Sequence, residues 1–140
     1  MSVTFSQYSK SLDRPDGPVD LEEAKDIVLA YRNGQRDEYS SDQDPFAISL
    51  FNFCRDNNNF IQVAMDSKTD YRVSLECHFT KRLWKISWRS TYSKDYFVPE
   101  LKDIMDLVTS FYTMEIEEFR TYFDSLAFKE SKWVGLASAG

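Results

Sequence analysis

Three stretches between residues 60 and 89 carry apolar side chains at alternate positions, and that period limits the chain more than any other feature. They read FIQVAM (60–65), YRVSLECHF (71–79) and LWKISWR (83–89). A period of two belongs to a strand that buries one face and solvates the other. Tyr71, Val73, Leu75, Cys77 and Phe79 fall on one face, Arg72, Ser74, Glu76 and His78 on the other. In the last run Trp84, Ile86 and Trp88 share a side opposite Lys85, Ser87 and Arg89. An earlier run, FAISLFNF (46–53), is apolar on both parities and supplies a fourth strand. The linkers RDNNN, DSKTD and TKR are short and polar, as in a sequential antiparallel meander.

Helical periods flank this block. In VDLEEAKDIVLAYRNG, Asp20 is placed to cap a helix with Glu23 as its reciprocal partner. Leu21, Ala24, Ile27, Val28 and Tyr31 form its apolar stripe, and Gly34 is expected to end it. Pro99 opens a second helical pattern through Leu101, Ile104, Leu107, Val108 and Phe111. Ile116, Phe119, Phe123 and Leu126 continue it, as a separate helix or beyond a kink near residues 112–114. Residues 1–18, with Pro15, Gly17 and Pro18, read as an N-terminal arm, and 129–140 as a loose tail that Trp133 could pin. The expected fold is α+β, a single domain over residues 1–140 in the order α-β-β-β-β-α-α. A four-stranded antiparallel meander sheet carries helices packed on one face.

Charge narrows the function. Residues 1–45 hold 10 acids and 5 bases (−5), 46–96 hold 5 and 8 (+3), and 97–140 hold 8 and 4 (−4), which sum to −6. A phosphate-binding domain needs a dominant basic footprint, so direct nucleic-acid binding is not expected. Membrane binding is not expected either, because the amphipathic helices are rich in acid and no run approaches the roughly 20 apolar residues of a spanning helix. The first residues lack the apolar run of a signal peptide, and Cys54 and Cys77 are too few for a disulfide framework. The expected setting is cytoplasmic, with both thiols reduced.

The residues for catalysis are sparse. His78 is the only histidine, and on a strand it points away from its neighbour Cys77. A pair between Cys54 and His78 stays open, as does a carboxylate pair from distant segments. One His and two Cys are too scattered for zinc, and the acidic loop 37–44 lacks the glycine and terminal Glu of a calcium loop. Four dispersed glycines make no phosphate loop. Glu22 with Glu23, and Glu117 with Glu118, point about 100° apart on a helix and share no site. No catalytic residue, metal or cofactor is therefore expected.

A capped helix, the pair FIQVAM…YRVSLE, a Trp-containing strand and the helix PELKDIMDLVTSFY together resemble the small immunity proteins of bacterial toxin systems. These include the immunity proteins of contact-dependent growth inhibition, and the similarity covers about residues 19–113. It implies a cytoplasmic, non-enzymatic protein that binds and blocks a cognate toxin domain. It carries over no contact residue, because toxin-facing surfaces vary. On charge alone the first candidate surface is the acidic loop Asp37, Glu38, Asp42 and Asp44, with Tyr39 as an aromatic anchor, which suits a basic nuclease. The second is the polar sheet face, Arg72, Glu76, His78, Lys85 and Arg89, which suits an acidic surface. The alternatives are another acidic interaction module, such as a phage-type inhibitor, and a small hydrolase.

Overall fold

The alternating runs pair as strands, but in a wider sheet than their pattern indicates. The computed structural model describes residues 2–7, 15–38, 50–65 and 71–130, with side chains except those of residues 31–38, Asn57 and Met65. Its strands are β1 (Thr4–Gln7), β2 (Gly17–Pro18), β3 (Leu50–Cys54), β4 (Phe60–Met65), β5 (Tyr71–Leu83) and β6 (Ile86–Val98). They form one antiparallel sheet in the order β2-β1-β3-β4-β5-β6. The helices are α1 (Leu21–Glu38), α2 (Leu101–Thr113) and α3 (Ile116–Asp124). The α+β class stands, while among the described residues the sheet has six strands rather than four.

The two additional strands come from the expected N-terminal arm. Val3 and Phe5 are buried, and Phe5 packs 6.1 Å from the ring centroids of both Phe51 and Phe53. Two large apolar residues in a polar segment are enough to add β1 to the edge of β3. Gly17 sits at φ +153°, a region that side-chain-bearing residues rarely adopt, and pairs with Phe5.

The α1 cap forms as the sequence indicates. The Glu23 amide donates to Asp20 Oδ1 at 2.8 Å, and the Asp20 amide donates to Glu23 Oε1 at 3.3 Å. Its end differs, because α1 passes through Gly34 to Glu38. A glycine inside a helix costs about 1 kcal/mol relative to alanine, which weakens the helix without stopping it.

Ala24, Ile27 and Val28 of α1, Ile104, Leu107, Val108 and Phe111 of α2, and Phe119 and Phe123 of α3 share one core. The sheet contributes Phe51, Phe53, Ile61, Val63, Tyr71, Val73, Leu75, Cys77, Tyr96 and Val98 to it. The inner parity of β4 and β5 is therefore the buried one. Helices α2 and α3 are separate, joined at Met114 and Glu115, and their junction is fixed from the sheet side. Arg55 Nη1 donates to the carbonyl oxygens of Phe111 and Met114, each at 2.8 Å. A guanidinium there answers carbonyls that the end of a helix leaves without partners.

The last two strands depart furthest from expectation. Strand β4 pairs with β5 from Tyr71 to Glu76, whereas β5 and β6 pair with each other through to Leu83 and Ile86. The turn is Trp84–Lys85, so TKR lies inside β5, and β6 runs well past residue 89 to Val98. Nothing at Trp84–Lys85 has turn chemistry, as Trp84 takes φ +56° without being glycine or asparagine. Polar residues at 80–82 suggest a turn only because the strand there is solvated on both faces.

Candidate functional site

Past Glu76 no other described strand pairs with the β5–β6 hairpin, which continues as a two-stranded arm. Its last tie to β4's side of the sheet is Asn59, 4% exposed, whose Oδ1 accepts the His78 amide at 2.6 Å. Asn59 Nδ2 donates to the Asp56 carbonyl at 2.9 Å, so a short turn rather than a strand braces the arm there. From His78 to Leu83 the arm extends about 17 Å at the usual strand rise.

Helix α3 braces the other side of the base. The Arg120 guanidinium lies 5.7 Å from the Phe79 ring centroid and 5.6 Å from that of Tyr92. Tyr92 donates to Asp124 Oδ1 at 2.9 Å, and Lys94 reaches Asp124 at 3.3 Å and Glu130 at 3.0 Å. The Tyr92 and Lys94 bonds hold the Asp124 carboxyl below its ordinary range. Burial, then the Asp124 bond, pushes the Tyr92 phenol well above its own. A recess of about 320 Å³ opens at this base, lined in part by Phe79, Lys81, Tyr92, Glu117 and Arg120.

The distal arm is built differently from the body. Trp84 is 87% exposed, Leu83 70%, Ile86 66% and Trp88 45%, an apolar patch at the end of the hairpin, whereas most other large apolar side chains among the described residues are buried. Register separates two faces. Leu83 pairs with Ile86, and Lys81 with Trp88, on the face that continues the core side of the sheet. Arg82 pairs with Ser87, and Thr80 with Arg89, on the opposite face. Lys85 Nζ stands 5.5 Å from the Trp84 ring centroid at the apex. Residues 77–94 contain no carboxylate. Lys81, Arg82, Lys85 and Arg89 form no ion pair among the described residues.

The residues singled out from sequence fall in different places. Asp37 and Glu38 end α1, where only the backbone is described, and Tyr39, Asp42 and Asp44 lie outside the described residues. Arg72, Glu76 and His78 lie half-buried on the polar face of the sheet, with His78 Nε2 3.2 Å from Glu76 Oε2 and Nδ1 3.3 Å from Thr91 Oγ1. Lys85 and Arg89 belong to the arm, at its apex and on its polar face. The second candidate surface is thus two patches, one on the body and one on the arm. Sequence reasoning read 83–89 as one strand with Trp84, Ile86 and Trp88 on one side, and so missed the exposed apolar tip. The missing acid between Glu76 and Asp95 was a visible signal for it.

Thiol and metal chemistry find little to build on among the described residues. Cys77 is fully buried on the core side, opposite His78, and burial pushes its thiol up to about 11. Cys54 donates to the Arg55 carbonyl at 3.4 Å, and burial followed by nearby Asp56 raises its thiol as well. Both shifts disfavour the nucleophilic thiolate. No group of three His, Cys, Asp or Glu side chains among the described residues could hold a metal ion. No described helix is long and apolar enough to cross a membrane.

Comparison with protein-family models, with curated proteins and with solved structures returns no match.

Proposed function

We propose that this chain is a protein-binding module, and that it acts as an immunity protein that neutralises a bacterial toxin domain by occupying it. The observation that carries the binding reading is the arm. It presents two tryptophans, a leucine and an isoleucine to solvent on a braced two-stranded support. Exposed apolar groups on a rigid element, with cations beside them, are what a protein interface concentrates at its centre. The toxin as partner rests on the resemblance over residues 19–113, and on a surface suited to binding without catalysis.

The arm, rather than the acidic loop, is the proposed contact surface. Its cations call for an acidic partner surface, in place of the basic nuclease that the loop would suit.

The test is co-expression with the toxin domain encoded beside this gene. Protection of growth by the full chain, with a complex surviving size-exclusion chromatography, is the expected result. Absence of a neighbouring toxin, or unprotected growth despite folded protein, would overturn the reading.

A further inference from the structure

We infer that the arm inserts into a cleft of its protein partner whose one wall is apolar and whose other wall is acidic. This inference rests on the toxin-binding reading above and names the chemistry of the toxin's surface. The two arm faces dictate it. Leu83, Ile86 and Trp88 lie on one face, where the stem of Lys81 adds apolar surface beside Trp88. Thr80, Arg82, Ser87, Arg89 and Thr91 lie on the other, offering two guanidiniums and three hydroxyls. A hairpin enclosed from both sides satisfies both faces together. Trp84 at the apex reaches the floor of the cleft.

Charge and shape set the other occupants aside. Two arms of this chain laid together would bring four cations against four, with no acid on either. A single strand of nucleic acid would stack on the rings of Trp84 and Trp88, but stacking leaves Leu83 and Ile86, both more than 60% exposed, uncovered. On a flat anionic membrane, an arm lying with its apolar face down would aim Arg82 and Arg89 away from the headgroups. Arginine is well suited to the acidic wall, because its planar fork binds carboxylates in two-point fashion.

The experiment measures binding kinetics of the full chain to the purified toxin domain encoded beside its gene. Trp84→Ala, and Ile86→Ser with Trp88→Ser, are expected to weaken binding by about 30-fold or more, chiefly through faster dissociation. Arg82→Glu with Arg89→Glu is expected to slow association about ten-fold at low salt, with the loss shrinking as salt rises. Unfolding midpoints of the variants establish that each still folds. If the unaltered chain binds the toxin and every arm variant binds within about two-fold of it, the cleft assignment is overturned while the immunity reading survives. If the unaltered chain does not bind the toxin, both fall. Three further probes are poly(dT), vesicles of equal parts phosphatidylcholine and phosphatidylglycerol, and sedimentation of the chain alone. Binding or self-association that Trp84→Ala abolishes would reassign the arm and overturn the cleft.

Discussion

The side chain of Asn59 accepts the main-chain amide of His78 at 2.6 Å, one step beyond the last strand pairing between β4 and β5. A buried amide group thereby substitutes for one rung of the sheet. Asn59→Ala removes that acceptor, together with the donor to Asp56. It should cost about 1–3 kcal/mol, read from urea unfolding midpoints at constant slope. Amide exchange should accelerate at His78 more than at Val73. Equal acceleration at both would mean that Asn59 serves global stability and not the base of the arm.

Arg55 joins the sheet to the α2–α3 junction by two bonds from one nitrogen, and its guanidinium stands 5.5 Å from the Phe111 ring centroid. Arg55→Ala leaves two carbonyls at a helix end without that donor. A loss of about 2–3 kcal/mol is expected. Lysine should recover only part of it, since a single ammonium cannot reproduce the planar contact with the ring. Chemical denaturation of the three proteins checks the order.

Trp84 holds φ +56° at the apex, where a bulky side chain is a backbone outlier. Trp84→Gly should raise the unfolding midpoint, by an amount corresponding to about 1 kcal/mol, because relief of the turn outweighs the loss of an exposed ring. The same substitution should abolish tight partner binding. A glycine variant that is less stable would show that the turn is not strained by tryptophan.

Asp124 supplies a pH-dependent contribution. Its folded carboxyl titrates below the ordinary value because Tyr92 and then Lys94 bond it. A depressed acid stabilises the fold above its unfolded pKa, near 4, and that stability is lost as pH falls through the folded pKa. Asp124→Asn should therefore flatten the acid side of the melting-temperature profile below about pH 4 and leave its shape near neutrality unchanged. Tyr92 behaves with the opposite sense. Its raised phenol favours the fold below an unfolded pKa near 10, and this is lost at higher pH as the folded phenol ionises.

The two thiols should react in a fixed order. Cys54 is part-exposed, whereas Cys77 is enclosed in the core and pushed up to about 11. A disulfide reagent at pH 8 should modify Cys54 first and reach Cys77 only at the rate of unfolding. Rapid native labelling of Cys77 would contradict its placement.

Much of the body was legible in the sequence, and the reasons are local. Asp20 and Glu23 form their cap from residues three apart, and alternation put Ile61, Val63, Val73, Leu75 and Cys77 on the buried face. The α2 and α3 stripes are equally self-contained. Alternation reports which side chains share a face, but not whether another element covers that face. Ile86 and Trp88 therefore read the same as Val73 and Leu75, although they are 66% and 45% exposed. The turn was misplaced because Trp84 and Lys85 carry none of the glycine or asparagine signals of tight hairpins. Strands β1 and β2 were lost behind Pro15 and Pro18, since their pairing depends on partners distant in sequence.

The sheet's support for β5 ends at Glu76 and Asn59, and the core is closed without any residue from 80 to 90. On the proposed function, folding and recognition are thus written in separate parts of the chain. Leu83, Trp84 and Ile86 are each more than 60% exposed and Trp88 is 45% exposed, so selection by a changing partner would rewrite them at little cost to the fold. A lineage of such proteins would keep its interior and diverge fastest along one hairpin.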